Sequence, residues 1–280
     1  TVTNSTITGN KASAETAASF GGGIYSRGTI TVTYSTISDN TADVGGGIMN
    51  ERTLTIINST ISGNTTVFEG GGIRNGFIAA TAQITNSTIS ANTAANGGGI
   101  MNVGTLMLTN STIADNKAVT SLGGGGIYIF RGVVESVNTI IAGNSAPFRP
   151  DCFGNPTSLG NHLIGNNSGC GFSPVTGDLV NVDPEFGPFM DDGTPGNGHW
   201  PLLATSQTID AGNDAACPPT DQLGTPRPVE LGAPQCDIGA IEFAELVNEV
   251  FALTELTTAF NPTPGPDAPA GVFTITATFT

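Results

Sequence analysis

Basic residues are scarce. The 280 residues hold eight Lys and Arg against 23 Asp and Glu, a formal charge of −15. The eight are scattered along the sequence, so there is no basic cluster to displace phosphate counterions, which excludes nucleic acid as a partner. An acidic chain is also repelled by anionic lipid. No apolar run approaches the ~20 residues that a membrane helix needs, and membrane insertion is excluded on that ground. Aromatics make up 6% of the chain, so the core must be aliphatic. Strong helix formers are few and glycine recurs throughout, which argues against helix. Neither proline nor cysteine occurs before Pro147. No initiator Met or leader is visible, and Thr1 falls inside a repeat, as expected of a processed or excerpted piece of a longer precursor.

What is present is a repeat. Gly-Gly-Gly-Ile begins at Gly21, Gly45, Gly70, Gly97 and Gly124, at spacings of 24, 25, 27 and 27. Asn-Ser-Thr-Ile begins at Asn4, Asn58, Asn86 and Asn110, with imperfect copies at Tyr34 and Asn138. Each is closed by an asparagine: Asn10, Asn40, Asn64, Asn92, Asn116 and Asn144. Within a unit, Leu54 and Ile56 alternate with Thr53 and Thr55, the period of a strand. One unit cannot bury its own apolar face, whereas stacked units can. The expected fold is therefore all-β, a right-handed parallel β-helix of five to six regular rungs, with three short strands per rung. Stacking predicts inward ladders of Ile24, Ile48, Ile73, Ile100 and Ile127, of Ile7, Ile37, Ile61, Ile89, Ile113 and Ile141, and of Val2, Val32, Ile56, Ile84 and Leu108. The closing asparagines are expected to form a hydrogen-bonded amide ladder and to occupy left-handed backbone. The added residues are placed after the closing Asn, at 11–19, 65–69 and 117–122. An ordinary β-sandwich with turn glycines would not repeat the same corner chemistry six times.

Three parts are expected: regular rungs over 1–146, an irregular disulfide-bearing end of the β-helix over 147–243, and a strand tail or the start of a β-sandwich over 244–280. Proline is poorly tolerated within a ladder, so stacking should decay after Pro147, with LGNHLIGNNSGCGF and GDLVNVDPEFGPF as irregular rungs. Cys152 and Cys170 bracket one short loop, and Cys217 and Cys236 another. Those two disulfides are expected among the three pairings that four cysteines allow, and they imply an oxidising compartment. Zinc, the competing reading, usually takes paired ligands two to four residues apart. Here the cysteines are single, and the only histidines are His162 and His199. In the tail, VFALTELTTAF and GVFTITATFT alternate like strands and, joined by the Pro-rich NPTPGPDAPAG, are expected to form a β-hairpin that opens a partial β-sandwich.

The GGGI and ISGN repeats resemble those of polymorphic outer-membrane-type proteins, within the pectate-lyase-like β-helix superfamily. NTIIAGNSA, DCFG, SLGNHLIGN, GDLVNVDPEFGPF, SQTIDAGN, CPPTDQLGTPRP and CDIGAIE are similar to the choice-of-anchor Q domain of bacterial surface proteins. Together the motifs cover residues 1–243. The resemblance implies a secreted or surface-anchored protein, mostly bacterial, without assigned catalysis; the sequence departs from the pattern in lacking an anchor.

Catalytic residues are not assigned. Glycosidase carboxylates lie ~5–9.5 Å apart, whereas Asp39 and Asp115 stand three rungs apart, ~14 Å by strand spacing. Arg27, Arg52, Arg74 and Arg131 follow the GGGI strands and read as solvated surface residues. No organic cofactor is expected. Ca²⁺ is the one candidate metal, with Asp178, Asp183, Asp191 and Asp192 in Gly/Pro loops as its candidate ligands. His199-Trp200 reads as packing, and the sequons at Asn4, Asn58, Asn64, Asn86, Asn110 and Asn166 read mostly as products of the repeat. The function expected is that of a non-catalytic extracellular structural or adhesive protein. A filament subunit is one form of it, with Gly271, Val272, Phe273, Thr274, Ile275 and Thr276 as an unpartnered assembly strand. A cell-surface glycan or protein is the other partner class. The rivals are a polysaccharide lyase or hydrolase and a glycan-binding module, the latter served by Tyr25, Tyr128 and Phe130.

Overall fold

The computed structural model describes residues 1–15, 17–228 and 235–244, and the strands Leu253–Phe260 and Phe273–Phe279. The chain divides into two compact units, Thr1–Ala244 and Glu245–Thr280. The first is a parallel β-solenoid of about six turns. Each full turn has four strands rather than three, because two residues after the closing Asn pair as well.

Four parallel sheets result. The GGGI sheet stacks Ile24–Ser26, Ile48–Asn50, Ile73–Asn75, Ile100–Asn102, Ile127–Ile129 and Cys152–Phe153. The long-strand sheet contains the five-residue strands Thr29–Thr33, Thr53–Ile57, Thr81–Thr85, Thr105–Thr109 and Val133–Val137. The STI sheet runs from Thr6–Thr8 through Thr60–Ser62 to Leu163–Ile164 and Leu179–Val180. The short sheet joins Thr41–Ala42, Thr65–Thr66, Thr93–Ala94 and Lys117–Ala118.

Register places like residues above like, as the repeat predicts. Ile73 lies between Ile48 and Ile100, Ile89 between Ile61 and Ile113, and Ile84 between Ile56 and Leu108. These side chains form one buried apolar column, each worth ~1.5–3 kcal/mol when fully buried. At the GGGI corner, a Cβ on Gly46 would lie 2.6 Å from the Gly71 carbonyl oxygen and 2.7 Å from that of Thr65. Only glycine lets successive turns approach so closely there.

The closing asparagines form a continuous one-way ladder. Each donates both its backbone N–H and its side-chain Nδ2 to Oδ1 of the next, as Asn40 does to Asn64 (3.0 and 3.0 Å) and Asn64 to Asn92 (3.0 and 2.9 Å). The column runs from Asn10 through Asn116 and Asn144. The second Nδ2 proton goes to an isoleucine carbonyl, as from Asn64 to Ile37 at 2.9 Å. Asp151 ends the column, its Oδ1 accepting both donors of Asn144. These asparagines are not left-handed. The positive φ values fall one residue earlier, at Gly9, Asp39, Gly63, Ala91, Asp115 and Gly143, and at the residue opening each Ser-Thr-Ile block, such as Asn58. The bend is made beside the ladder, which frees the ladder amide to point along the stack.

The GGGI spacing conceals one insertion. Residues 76–80 lengthen the turn after Asn75, not the segment after a closing Asn. Past Pro147, LGNHLIGN and GDLVNV do add strands to the STI sheet, with Leu163 beside Ile140 and Leu179 beside Leu163. The segment after Val182 then turns back along the STI sheet rather than adding rungs. The Gly196 N–H donates to Thr36, Thr60 donates to the Gly198 carbonyl, Thr88 to Gln222 and the Ala240 N–H to Thr112, at 2.7–3.0 Å. The threonines of the repeat thus become a buried docking column. Among the described residues no helix is long and apolar enough to cross a membrane.

In the second unit, Leu253–Phe260 and Phe273–Phe279 pair antiparallel. This is the hairpin expected of the tail; within it Phe273, Thr274, Ile275 and Thr276 have a partner strand on one side rather than standing unpartnered as the assembly expectation had them, and Gly271 and Val272 lie outside the described residues.

The ladder makes a graded prediction. Asn64→Ala removes four buried hydrogen bonds and leaves buried donors of Asn40 without acceptors. At ~1–3 kcal/mol per orphaned group, it should cost about 3 kcal/mol or more in urea unfolding. Asn10→Ala, at the exposed end, should cost under about 1 kcal/mol. Equal losses for the two would refute the ladder as the source of stability.

Candidate binding face

Side chains alternate along a strand, and in the three-residue strands of the GGGI sheet the first and third point inward and the middle one outward. In the GGGI sheet the outward column reads Tyr25, Met49, Arg74, Met101, Tyr128 and Phe153. The inward third position holds Asn50, Asn75 and Asn102, which form a second amide ladder of 2.9 and 2.8 Å. The second amide ladder is not among the sequence expectations, and of the outward column only Tyr25 and Tyr128 are, as candidate glycan-binding rings. The signal lay in the two residues following each Gly-Gly-Gly-Ile.

The outward column is packed. Tyr128 stacks on Phe153 at 4.8 Å and lies 6.4 Å from Phe130, which is 54% exposed. Arg149 caps Phe153 at 4.8 Å and Arg131 lies over Phe130 at 5.5 Å. At the other end Phe20 stacks on Tyr25 at 5.8 Å, with Arg27 over the Tyr25 ring. Met49 and Met101 are buried beneath these neighbours. Burial, with the Glu69 carboxylate nearby, pushes the Tyr128 phenol up from its ordinary value. The Tyr25 hydroxyl donates to Glu51, which raises its pKa. The insertion at 76–80 brings exposed Phe77 and Ile78 to the rim of this sheet.

The arginines are not uniformly solvated. Arg74 pairs with Glu69 at 3.2 Å with its side chain 19% exposed, and Arg27 pairs with Glu51 at 3.3 Å. The third ion pair among the described residues, Arg227–Glu242 at 2.7 Å, is buried in the returning segment. Arg227 also donates to the carbonyls of Asp237 and Gly239. Burial pushes Asp237 up to about 6 and Glu242 to about 7, with Arg227 pulling both back. This cluster clasps the returning segment.

The four candidate Ca²⁺ ligands are not brought together as one carboxylate site. Asp178 accepts from Ser158 and from the His162 and Val175 N–H groups. Asp183 accepts from the Glu185 N–H, Asp191 from that of Gly193, and Asp192 from Thr194 and Asn197. Their oxygens close turns, the ordinary work of Asp in Gly/Pro loops. Among the described residues the one tight group of metal-ligand types is Asp214, Cys217 and Cys236. Its cysteines are joined to each other, and Cys152 to Cys170, so both disulfides form. They place the chain in a non-reducing environment.

His162 is fully buried against Phe172, and burial pushes its pKa down to about 3, leaving a neutral core imidazole. His199 bonds the Asn197 carbonyl, while Trp200 donates to Ser90 and packs with Phe186 and Phe189. Asn58, Asn64, Asn86 and Asn110 are buried, whereas Asn4 and Asn166 are exposed. A cleft of about 450 Å³ beside Asn144 also touches Asp151, Asn166, Asp183 and Phe186. Asp151 is buried there, with Oδ1 accepting both donors of Asn144 and Oδ2 accepting the Asn166 N–H at 2.6 Å. Comparison with protein-family models, curated proteins and solved structures finds no match.

Asp151 gives a pH test. Burial raises its carboxyl to about 6, against the downward pull of three N–H donors. Between its unfolded value near 4 and about 6, the folded state holds a proton that the unfolded chain has released. Stability therefore falls as pH rises through that window. Asp151→Asn should flatten part of the decline in urea midpoint between pH 4 and 6, leaving the share due to Asp237 and Glu242. An unchanged slope would remove Asp151 from this role.

Proposed function

We propose that the protein is a non-catalytic structural and adhesive component of the extracellular surface. The observation that carries this reading is the division of its chemistry. The candidate carboxylates are turned into their own loops, while rings and guanidinium groups are presented together on the GGGI sheet. Hydrolysis of a glycoside needs a carboxylate pair facing a shared cleft, and Asp39 and Asp115 belong to separate turns of the solenoid. The two disulfides support life outside a reducing compartment. The likeness of the second-half motifs to choice-of-anchor Q domains favours attachment to a bacterial cell surface. Incubation with pectate, alginate, xylan and chitin should release neither reducing ends nor unsaturated uronates. Antibody should label intact cells of the native source. Cleavage of any of these polymers would overturn the non-catalytic reading, and label confined to lysed cells would overturn the surface location.

Self-association is a second form of the same reading. Among the described residues the sheet of Leu253–Phe260 and Phe273–Phe279 has two strands. Two-stranded sheets are marginal alone in water, which favours pairing of an outer edge with a further strand. Negative-stain electron microscopy should then show filaments that are lost on deletion of residues 271–280. Single particles at high protein concentration, or filaments that survive the deletion, would rule out assembly through this strand.

A further inference from the structure

We propose that the outer face of the GGGI sheet docks an extended acidic polypeptide, an inference that rests on the adhesive reading above and names its partner class. The argument begins with charge. The chain has six arginines, and five of them, Arg27, Arg52, Arg74, Arg131 and Arg149, stand in or beside strands of this one sheet. The sixth, Arg227, is buried elsewhere. A chain of charge −15 thus gathers arginines along one sheet, with Arg74 in its outward column and Arg27, Arg131 and Arg149 over the rings of Tyr25, Phe130 and Phe153. Among the described residues Arg52, Arg131 and Arg149 have no carboxylate within ion-pair distance, since the three pairs formed involve other arginines. Among the described residues these three are left for an anion from outside.

The side chains between the arginines select the kind of anion. Protein–protein interface cores are enriched in aromatic residues, Met and Arg and depleted in Lys. The exposed margins of this face have that aromatic and Arg character, with Phe20, Tyr25, Phe77 and Phe130 open to solvent, while Met49, Met101 and Tyr128 of the outward column are covered. A polysaccharide would demand many donors and acceptors for its hydroxyls. The exposed rings of Phe20, Phe77 and Phe130 supply none, and the Tyr25 hydroxyl is already committed to Glu51. Acidic side chains alternating with apolar or aromatic ones fit better. Carboxylates would meet Arg131 and Arg149, and apolar groups would cover exposed Phe130 and Phe148.

Geometry fits the same occupant. Six strands span five steps of ~4.8 Å, or ~24 Å, which an extended segment of ~7 residues covers at ~3.3 Å each. The stack Arg149–Phe153–Tyr128–Phe130 is held in place by the sheet beneath it. Little side-chain freedom remains to be lost on binding, which favours affinity.

The test uses the full chain and a fluorescent poly(Glu,Tyr) copolymer, read by anisotropy. The copolymer should bind, and binding should weaken with added salt. Arg131→Glu should raise Kd at least about tenfold, as expected of an interface Arg anchor. Phe130→Ser is the second variant. Both positions are exposed, so the thermal transition should stay at the wild-type temperature and report an intact fold. Polygalacturonate, matched in carboxylate concentration, should displace the copolymer at least about tenfold less well than unlabelled copolymer does. No binding, or binding unmoved by both variants, would overturn the proposal. Equal displacement by polygalacturonate would also overturn it and assign the face to polyanions in general. Failure here without polymer cleavage leaves the surface-protein reading standing. Cleavage with intact copolymer binding overturns that reading alone.

Discussion

The buried amide ladder is the constraint on which the rest of the molecule depends. A side-chain amide has two donors and two acceptor lone pairs, and burying it without partners costs several kcal/mol. The column from Asn10 to Asn144 satisfies its internal members only when each turn lies in register with the next. A slip of one residue would flip every side chain of a strand to the other face and strand the amides as well. Aliphatic ladders alone do not impose this, because Ile on Ile tolerates small offsets that an N–H···O bond of 2.9 Å does not. The apolar column supplies most of the stabilisation and the amides supply the register.

Register in turn decides what each face presents. Because strands on successive turns align position for position, an outward residue of one turn becomes a column over several. The Thr of each Ser-Thr-Ile block becomes a row of hydroxyls, and residues after Val182 use that row as a docking track. The residue after each Gly-Gly-Gly-Ile becomes the column of rings, thioethers and guanidinium that marks the candidate face. Asp151 belongs to the same logic. The ladder donates in one direction, so its last member needs a group that only accepts, and a carboxylate is that group.

The periodic part of the fold was legible because the repeat averages over its own exceptions. Six copies of Ile and Asn at fixed offsets leave little choice of inward face, and the three apolar ladders follow. The fourth strand was hidden because Thr41–Ala42 and its relatives span only two residues, too few to show alternation. The returning segment was hidden for another reason. Many of its contacts join residues more than 100 positions apart, as between Asn86 and Thr220, and its own sequence is aperiodic. The acids of Asp178, Asp183, Asp191 and Asp192 suggested ion ligands by their number. Which backbone N–H each one caps depends on loop geometry that composition does not encode. Arg74 looked solvated as a lone charge after a strand, yet Glu69, five residues earlier, folds onto it.

The candidate face also explains an asymmetry in how the protein uses charge. A net charge far from zero keeps a chain soluble and discourages association, and here the surplus is negative. Spreading the few arginines evenly would only have lowered that surplus. Gathering them on one sheet, against rings that lower the cost of holding a cation, leaves a single face to which negative partners are drawn while the rest of the surface repels them. The same rings would be an aggregation hazard on a neutral chain, since large exposed apolar patches invite association. On this chain a second copy presents predominantly negative surface, but its own ring-bearing face carries the same guanidinium groups. Face-to-face pairing would set arginine against arginine, so like charge opposes the one contact that the rings alone would favour. An exposed aromatic strip and an acidic chain therefore form one arrangement: the arginines within the strip choose a partner of opposite sign, and they also discourage the strip from choosing itself.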